Sequence, residues 1–123
     1  MGNIVSIVLV GSKKLLEYRE EYYNEKIWCF EENKNKYNKL LKNLPNKVFL
    51  DNICISDYLG QSKGVDITTL YNLFINIDIL VIDGYPDEVL RGLKKIRPDF
   101  IDCKKCNWLK KNGYRLVNNI YER

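Results

Sequence analysis

The chain predicts a doubly wound α/β domain on a mostly parallel, Rossmann-like sheet of about six strands. Three observations lead there. Short β-branched runs, apolar on both faces, alternate with segments of helical period, as expected for strands covered by helices on each side. Turn residues and helix stops fall between these segments rather than inside them. A length of 123 residues gives room for one such core and not two, so a single domain over residues 1–123 is expected.

Ile4 to Val10 reads as the first strand, ending at Gly11, with Ser12 placed to cap a helix over Lys13 to Tyr23. Lys26 to Phe30 is the second strand, and Glu31-Glu32 stand at its end. Asn33 then caps a helix that carries Tyr37, Leu40, Leu41 and Leu44 on one face and stops at Pro45. Lys47 to Ile55 reads as one third strand, followed by a turn over Ser56 to Gly60, an unstructured stretch over Gln61 to Asp66, and a short helix over Thr68 to Phe74. Ile77 to Asp83 is the fourth strand. Pro86 opens a helix over Asp87 to Ile96, which ends before Pro98. Asp99 to Cys103 forms a fifth strand, Asn107 to Asn112 a helix stopped by Gly113, and Tyr114 to Tyr121 a last strand with no final hairpin.

Twenty Lys and Arg against sixteen Asp and Glu give a formal charge of +4, and there is no histidine. That absence excludes Ser-His and Cys-His nucleophile pairs, histidine general bases and histidine metal sites. Any catalysis rests on carboxylates, lysines, tyrosines or positioning. The lysines are spread among glutamates without a basic stripe, so the charge describes a solvated surface rather than a nucleic-acid interface. Cys103 and Cys106 form a single C-x-x-C, with no second pair to complete a zinc site, and Cys29 and Cys54 lie in apolar runs. No secretory leader and no membrane-spanning run is visible, and a reducing, cytoplasmic setting is the expectation. Met1-Gly2 with Ser6 fits the short N-myristoylation pattern, although a strand from Asn3 onward would leave Gly2 little tether.

In a doubly wound sheet, ligands bind beyond the carboxyl ends of the strands at the switch in strand order. The residues there are Gly11, Glu31-Glu32, Ser56-Asp57, Asp83-Gly84 and Cys103. A carboxylate ending the second strand can accept both hydroxyls of a ribose, or Glu31 can be a charge at a helix start. Asp57 can take an adenine amino group or close an Asx turn. Asp83 follows a run of apolar residues and can meet a cofactor or substrate, or cap the next helix. The glycine-rich G-x-G-x-x-G of dinucleotide oxidoreductases does not follow the first strand.

Read together, these strand ends resemble the FkbM family of class I S-adenosylmethionine-dependent methyltransferases. Phe30-Glu31-Glu32-Asn33 with Tyr37, Leu40 and Asn43 resembles the family's "FEP-N" segment and its Y-x-x-L-x-x-N helix. Ile53 to Gly60 resembles "A-[IL]-S-D-x-x-G", and Asp66 to Leu70 the "T-L-D" element. Ile82-Asp83-Gly84-Tyr85 with Glu88 to Gly92 resembles "I-D-x-x-G-Y-x-x-E-V-L-K-G". The likeness runs through nearly the whole chain in order. It implies S-adenosylmethionine as cofactor at Gly11, Glu31, Ser56, Asp57 and Asp83. It also implies O-methylation of a small hydroxylated or sugar substrate, with Asp83 as base or orienter.

The family's first strand ends in "D-x-G-A-x-x-G", whereas this chain reads Leu9-Val10-Gly11-Ser12-Lys13-Lys14-Leu15 and keeps one glycine. Two residues are absent between Asp83 and Gly84, and a chain of this length leaves no room for a substrate lid. Two functions are therefore expected from the sequence. One is a small O-methyltransferase, degenerate or active; the other is a methyltransferase-fold module that has lost its cofactor loop and serves as a binding or assembly partner. A groove at Gly11, Glu31 and Asp83 favours the first, and Leu15 filling that groove favours the second.

Overall fold

The computed structural model describes residues 5–123; Gly2, the acceptor in the lipidation pattern, lies outside them. Along the chain the elements are β1 (Ile7–Val10), α1 (Leu15–Glu21), β2 (Ile27–Phe30), α2 (Lys34–Lys42), β3 (Val48–Asp51), β4 (Ile53–Ile55), β5 (Gly60–Ser62), β6 (Val65–Thr68), α3 (Leu70–Leu73), β7 (Ile79–Ile82), α4 (Asp87–Arg91), β8 (Phe100–Asp102), α5 (Asn107–Lys111), β9 (Arg115–Val117) and β10 (Ile120–Glu122).

Seven strands make the main sheet in the order β3-β2-β1-β7-β8-β10-β9. The first five are parallel, and β10 runs antiparallel to both of its neighbours. The α/β class and the mostly parallel sheet are those the apolar runs predict. Alternation along the central strands divides the core. Ile7 and Leu9 of β1 and Ile79 and Val81 of β7 face Leu15, Tyr18 and Cys29, while Val8, Leu80 and Ile82 face Leu70, Leu90, Leu93 and Leu109. Both faces of β1 and β7 are buried, which is why these strands read as continuous apolar runs. The chain leaves β1 toward β2 and β3, then returns to the other side of β1 with β7, so the strand order switches beside Gly11 and Asp83.

Three stretches depart from the sequence reading. The single third strand divides at Asn52, whose side-chain amide donates to the Glu31 and Glu32 carbonyls at 2.8 and 3.1 Å and turns the chain out of the main sheet. β4 then joins β6 and β5 in a separate three-stranded sheet, so Gln61 to Asp66 is strand and turn rather than coil. The last strand is a hairpin, which corrects the expectation that the final hairpin is missing. β9 and β10 pair antiparallel around Asn118 and Asn119, both left-handed at φ 52° and 68°, a conformation asparagine tolerates better than most residues.

No helix among the described residues is long and apolar enough to cross a membrane. Burial also sets how the fold responds to alkali. It pushes the Cys29 thiol from 9.0 up to about 12 and the Tyr114 phenol from 10.0 up to about 12. Tyr114 donates its hydroxyl proton to the Pro98 carbonyl at 2.6 Å. Both groups hold their proton longer in the folded chain than in the unfolded one. The stability they contribute is therefore complete below about pH 9 and falls as pH rises toward about 12, by about 1.4 kcal/mol per pH unit for each group ionised only when unfolded. Urea midpoints measured from about pH 8 to about pH 11 should decline steadily, and the decline should lessen in Cys29→Ala.

Candidate functional site

The connection from β1 to α1 is Gly11-Ser12-Lys13-Lys14, and side chains hold it where glycines would be expected. Ser12 Oγ donates to Glu31 Oε1 at 2.5 Å, beyond β2. The Lys13 amide donates to Asp83 Oδ2 at 2.8 Å, beyond β7. Lys14 Nζ donates to Asp102 Oδ1 at 2.9 Å, at the end of β8. Three consecutive residues are thus tied to carboxylates at the ends of three different strands. Ser12 does not cap α1; the residue before that helix is Lys14, and it makes no side-chain capping bond. Asp83 spends one oxygen on the Lys13 amide rather than on α4.

Gly11 is required twice over. Its φ of +95° lies in the left-handed region, and a Cβ there would stand 2.4 Å from Asp83 Oδ2. The close approach lets the strand end pass over Asp83 while the Gly11 amide donates to the Phe30 carbonyl at 2.8 Å.

Beyond this crossing lies a cavity of about 260 Å³. Val10, Phe30, Ile53 and Ile55 give it apolar walls, Glu31, Glu32 and Asp83 bring three carboxylates, and Lys36 brings one ammonium. Such a space suits a planar apolar group beside a hydroxylated one, and its charge favours a cation. Leu15 does not enter it. That side chain is 1% exposed and packs on the other face of the sheet with Leu9, Tyr18 and Cys29.

Glu31 is 6% exposed, with Oε2 accepting from the Asn33 amide at 2.9 Å and Oε1 from Ser12. Each carboxylate oxygen retains a lone pair, so two further donors can be accepted. Asn33 itself caps α2 as expected, accepting from the Lys36 amide at 3.0 Å. Gly11, Glu31 and Asp83 therefore meet at one cavity, whereas Ser56 and Asp57 turn toward α4. Ser56 Oγ donates to Glu88 Oε2 at 2.9 Å, and Arg91 Nε donates to Asp57 Oδ2 at 2.9 Å. The Arg91 guanidinium holds the Asp57 carboxyl below the usual range.

Asp102, Lys14 and Tyr18 were not singled out by the sequence. Asp102 accepts from Tyr18 Oη at 2.7 Å as well as from Lys14, which seats α1 on the sheet. Its signal is the same as that of Asp83: a carboxylate directly after a buried strand residue, here Ile101. Among the described residues no cluster of three or more cysteine or carboxylate side chains could hold a metal ion. Comparison of the chain with protein-family models, curated proteins and solved structures finds no match.

Proposed function

We propose that the chain binds S-adenosylmethionine in the cavity at Gly11, Glu31 and Asp83 and methylates a hydroxyl group of a small molecule. The observation that carries this reading is the open cavity itself, with Leu15 buried on the far face rather than filling it. Counting only strands of the main sheet, the parallel part runs 3-2-1-4-5, an order shared with doubly wound nucleotide-binding sheets, and the class's final hairpin is present. Both features support the methyltransferase-like form of the fold.

The residues present fit the cofactor. Phe30, Ile53 and Ile55 offer faces for an adenine, Glu31 keeps acceptor capacity for a ribose diol, and Glu31, Glu32 and Asp83 outweigh Lys36 for a sulfonium cation. The lysines of the connection do not spoil this balance, because neither Lys13 nor Lys14 lines the cavity and Lys14 is committed to Asp102. When bound, the cofactor supplies an electrophilic methyl group, whose bonding pair stays on sulfur as the acceptor oxygen takes the carbon. Asp83 orients that oxygen. Its Oδ2 is held by the Lys13 amide, which leaves Oδ1 without a protein partner among the described residues and free to take the hydroxyl proton.

Calorimetric titration with S-adenosylmethionine and S-adenosylhomocysteine tests the reading. Saturable heat is expected for the native chain, and its loss in Glu31→Ala. No heat from either ligand at high concentration would overturn the proposal in favour of a binding module.

A further inference from the structure

A second recess of about 250 Å³ opens on the other side of Asp83 and Gly84, which line both spaces. Its remaining polar groups are Lys13, Lys14, Asp102 and Lys104. Three ammonium groups face two carboxylates there, those of Asp83 and Asp102, which leaves the recess net positive. Asp102 is taken by Lys14 and Tyr18, and Asp83 has one oxygen on the Lys13 amide. Lys13 and Lys104 form no ion pair among the described residues. Lys104 Nζ instead lies 5.2 Å from the ring centre of Tyr85, a side chain 88% exposed. A separate groove that Tyr85 lines carries Lys105, Lys111 and Arg91 against the single acid Asp87. Two spaces of opposite charge thus meet at one carboxylate: three acids against one lysine on the cofactor side, and three lysines against two acids on the other, with Asp83 counted on both.

We infer that the recess holds an oxyanion, and that the methyl acceptor is a small hydroxylated molecule carrying a phosphate or carboxylate group. The anion sits between the Lys13 and Lys104 ammonium groups, and the hydroxyl points back to Asp83. The acceptor assignment rests on the methyltransferase reading; the oxyanion site does not. Such a site gives orientation, since a charge anchored at one end of a short molecule fixes where its hydroxyl stands.

The test is a titration followed by amide NMR, using inorganic phosphate in one arm and acetate in the other. Saturable shifts are expected at Gly84, Cys103 and Lys104, larger for phosphate if a phosphate ester is the natural group and for acetate if a carboxylate is. Lys13→Ser with Lys104→Ser should weaken that binding by roughly tenfold or more, because two charge-assisted contacts are lost while the residue 13 amide is kept. Lys39→Ser with Lys42→Ser on α2 should leave it unchanged. Absence of shifts, shifts spread equally over α2, or equal affinity in the Lys13/Lys104 variant would overturn the oxyanion site. A parallel titration with S-adenosylmethionine separates the two ideas. If phosphate binds and the cofactor does not, the acceptor assignment falls and the oxyanion site stands; if the cofactor binds and neither anion does, the recess proposal falls alone.

Discussion

Gly11→Ala is expected to destabilise the chain by about 3–5 kcal/mol and to abolish ligand binding at the cavity. Two costs combine. A non-glycine residue at φ +95° pays about 1–3 kcal/mol for the backbone alone. The new Cβ also overlaps Asp83 at 2.4 Å from Oδ2 and 2.8 Å from its Cβ, so Asp83 cannot escape by turning its carboxylate and must give up the Lys13 amide. Gly113→Ala separates the two costs, since Gly113 has φ +84° with nothing within 4 Å of an added Cβ. Chemical denaturation should show that control losing only the backbone share, and calorimetry should show ligand binding lost for Gly11→Ala alone.

The second large effect is expected at Gly92, where the backbone is ordinary. Its φ is −72°, and alanine is the better helix former by about 1 kcal/mol, so local propensity predicts a gain. Packing reverses the sign. An added Cβ would stand 2.3 Å from the Ser56 carbonyl oxygen, 3.2 Å from its carbon and 3.3 Å from Asp57 Cα, all backbone atoms. Relief requires the end of α4 to move away from β4, which breaks the Ser56–Glu88 and Asp57–Arg91 contacts and disturbs Leu90 and Leu93, both fully buried. The net loss should be about 3 kcal/mol, or roughly 10–20 °C in melting temperature. A melting curve equal to that of the native chain would show that α4 can shift without cost.

The central strands were legible because their surroundings are simple. β1, β2 and β7 are buried by helices on both sides, and burial of that kind selects β-branched and apolar residues in unbroken runs. Asn33 was legible as a cap because its bond is local. The small sheet was not, since Gly60-Gln61-Ser62 has no strand propensity and becomes β5 by pairing with β6. The final hairpin hid in the run from Tyr114 to Tyr121, where Asn118 and Asn119 supply the left-handed turn without the glycine that usually marks one. At the site, residue type gave position but not partner. Ser12 and Asp83 stand where caps stand, yet each reaches across to another strand end, a choice made by tertiary geometry. Ser56 and Asp57 directly follow Ile55, which lines the cavity, yet their side chains are taken by Glu88 and Arg91 of α4.

The three ties of the β1–α1 connection join residues 19, 70 and 88 positions apart. Each rests on a different strand, so the shape of the connection depends on β2 and β7 beside β1 and on β8 beside β7. The glycine-rich form of such a turn depends on its own local backbone freedom, but here the turn's conformation depends on the completed sheet, so damage at any of three distant strand ends reaches it.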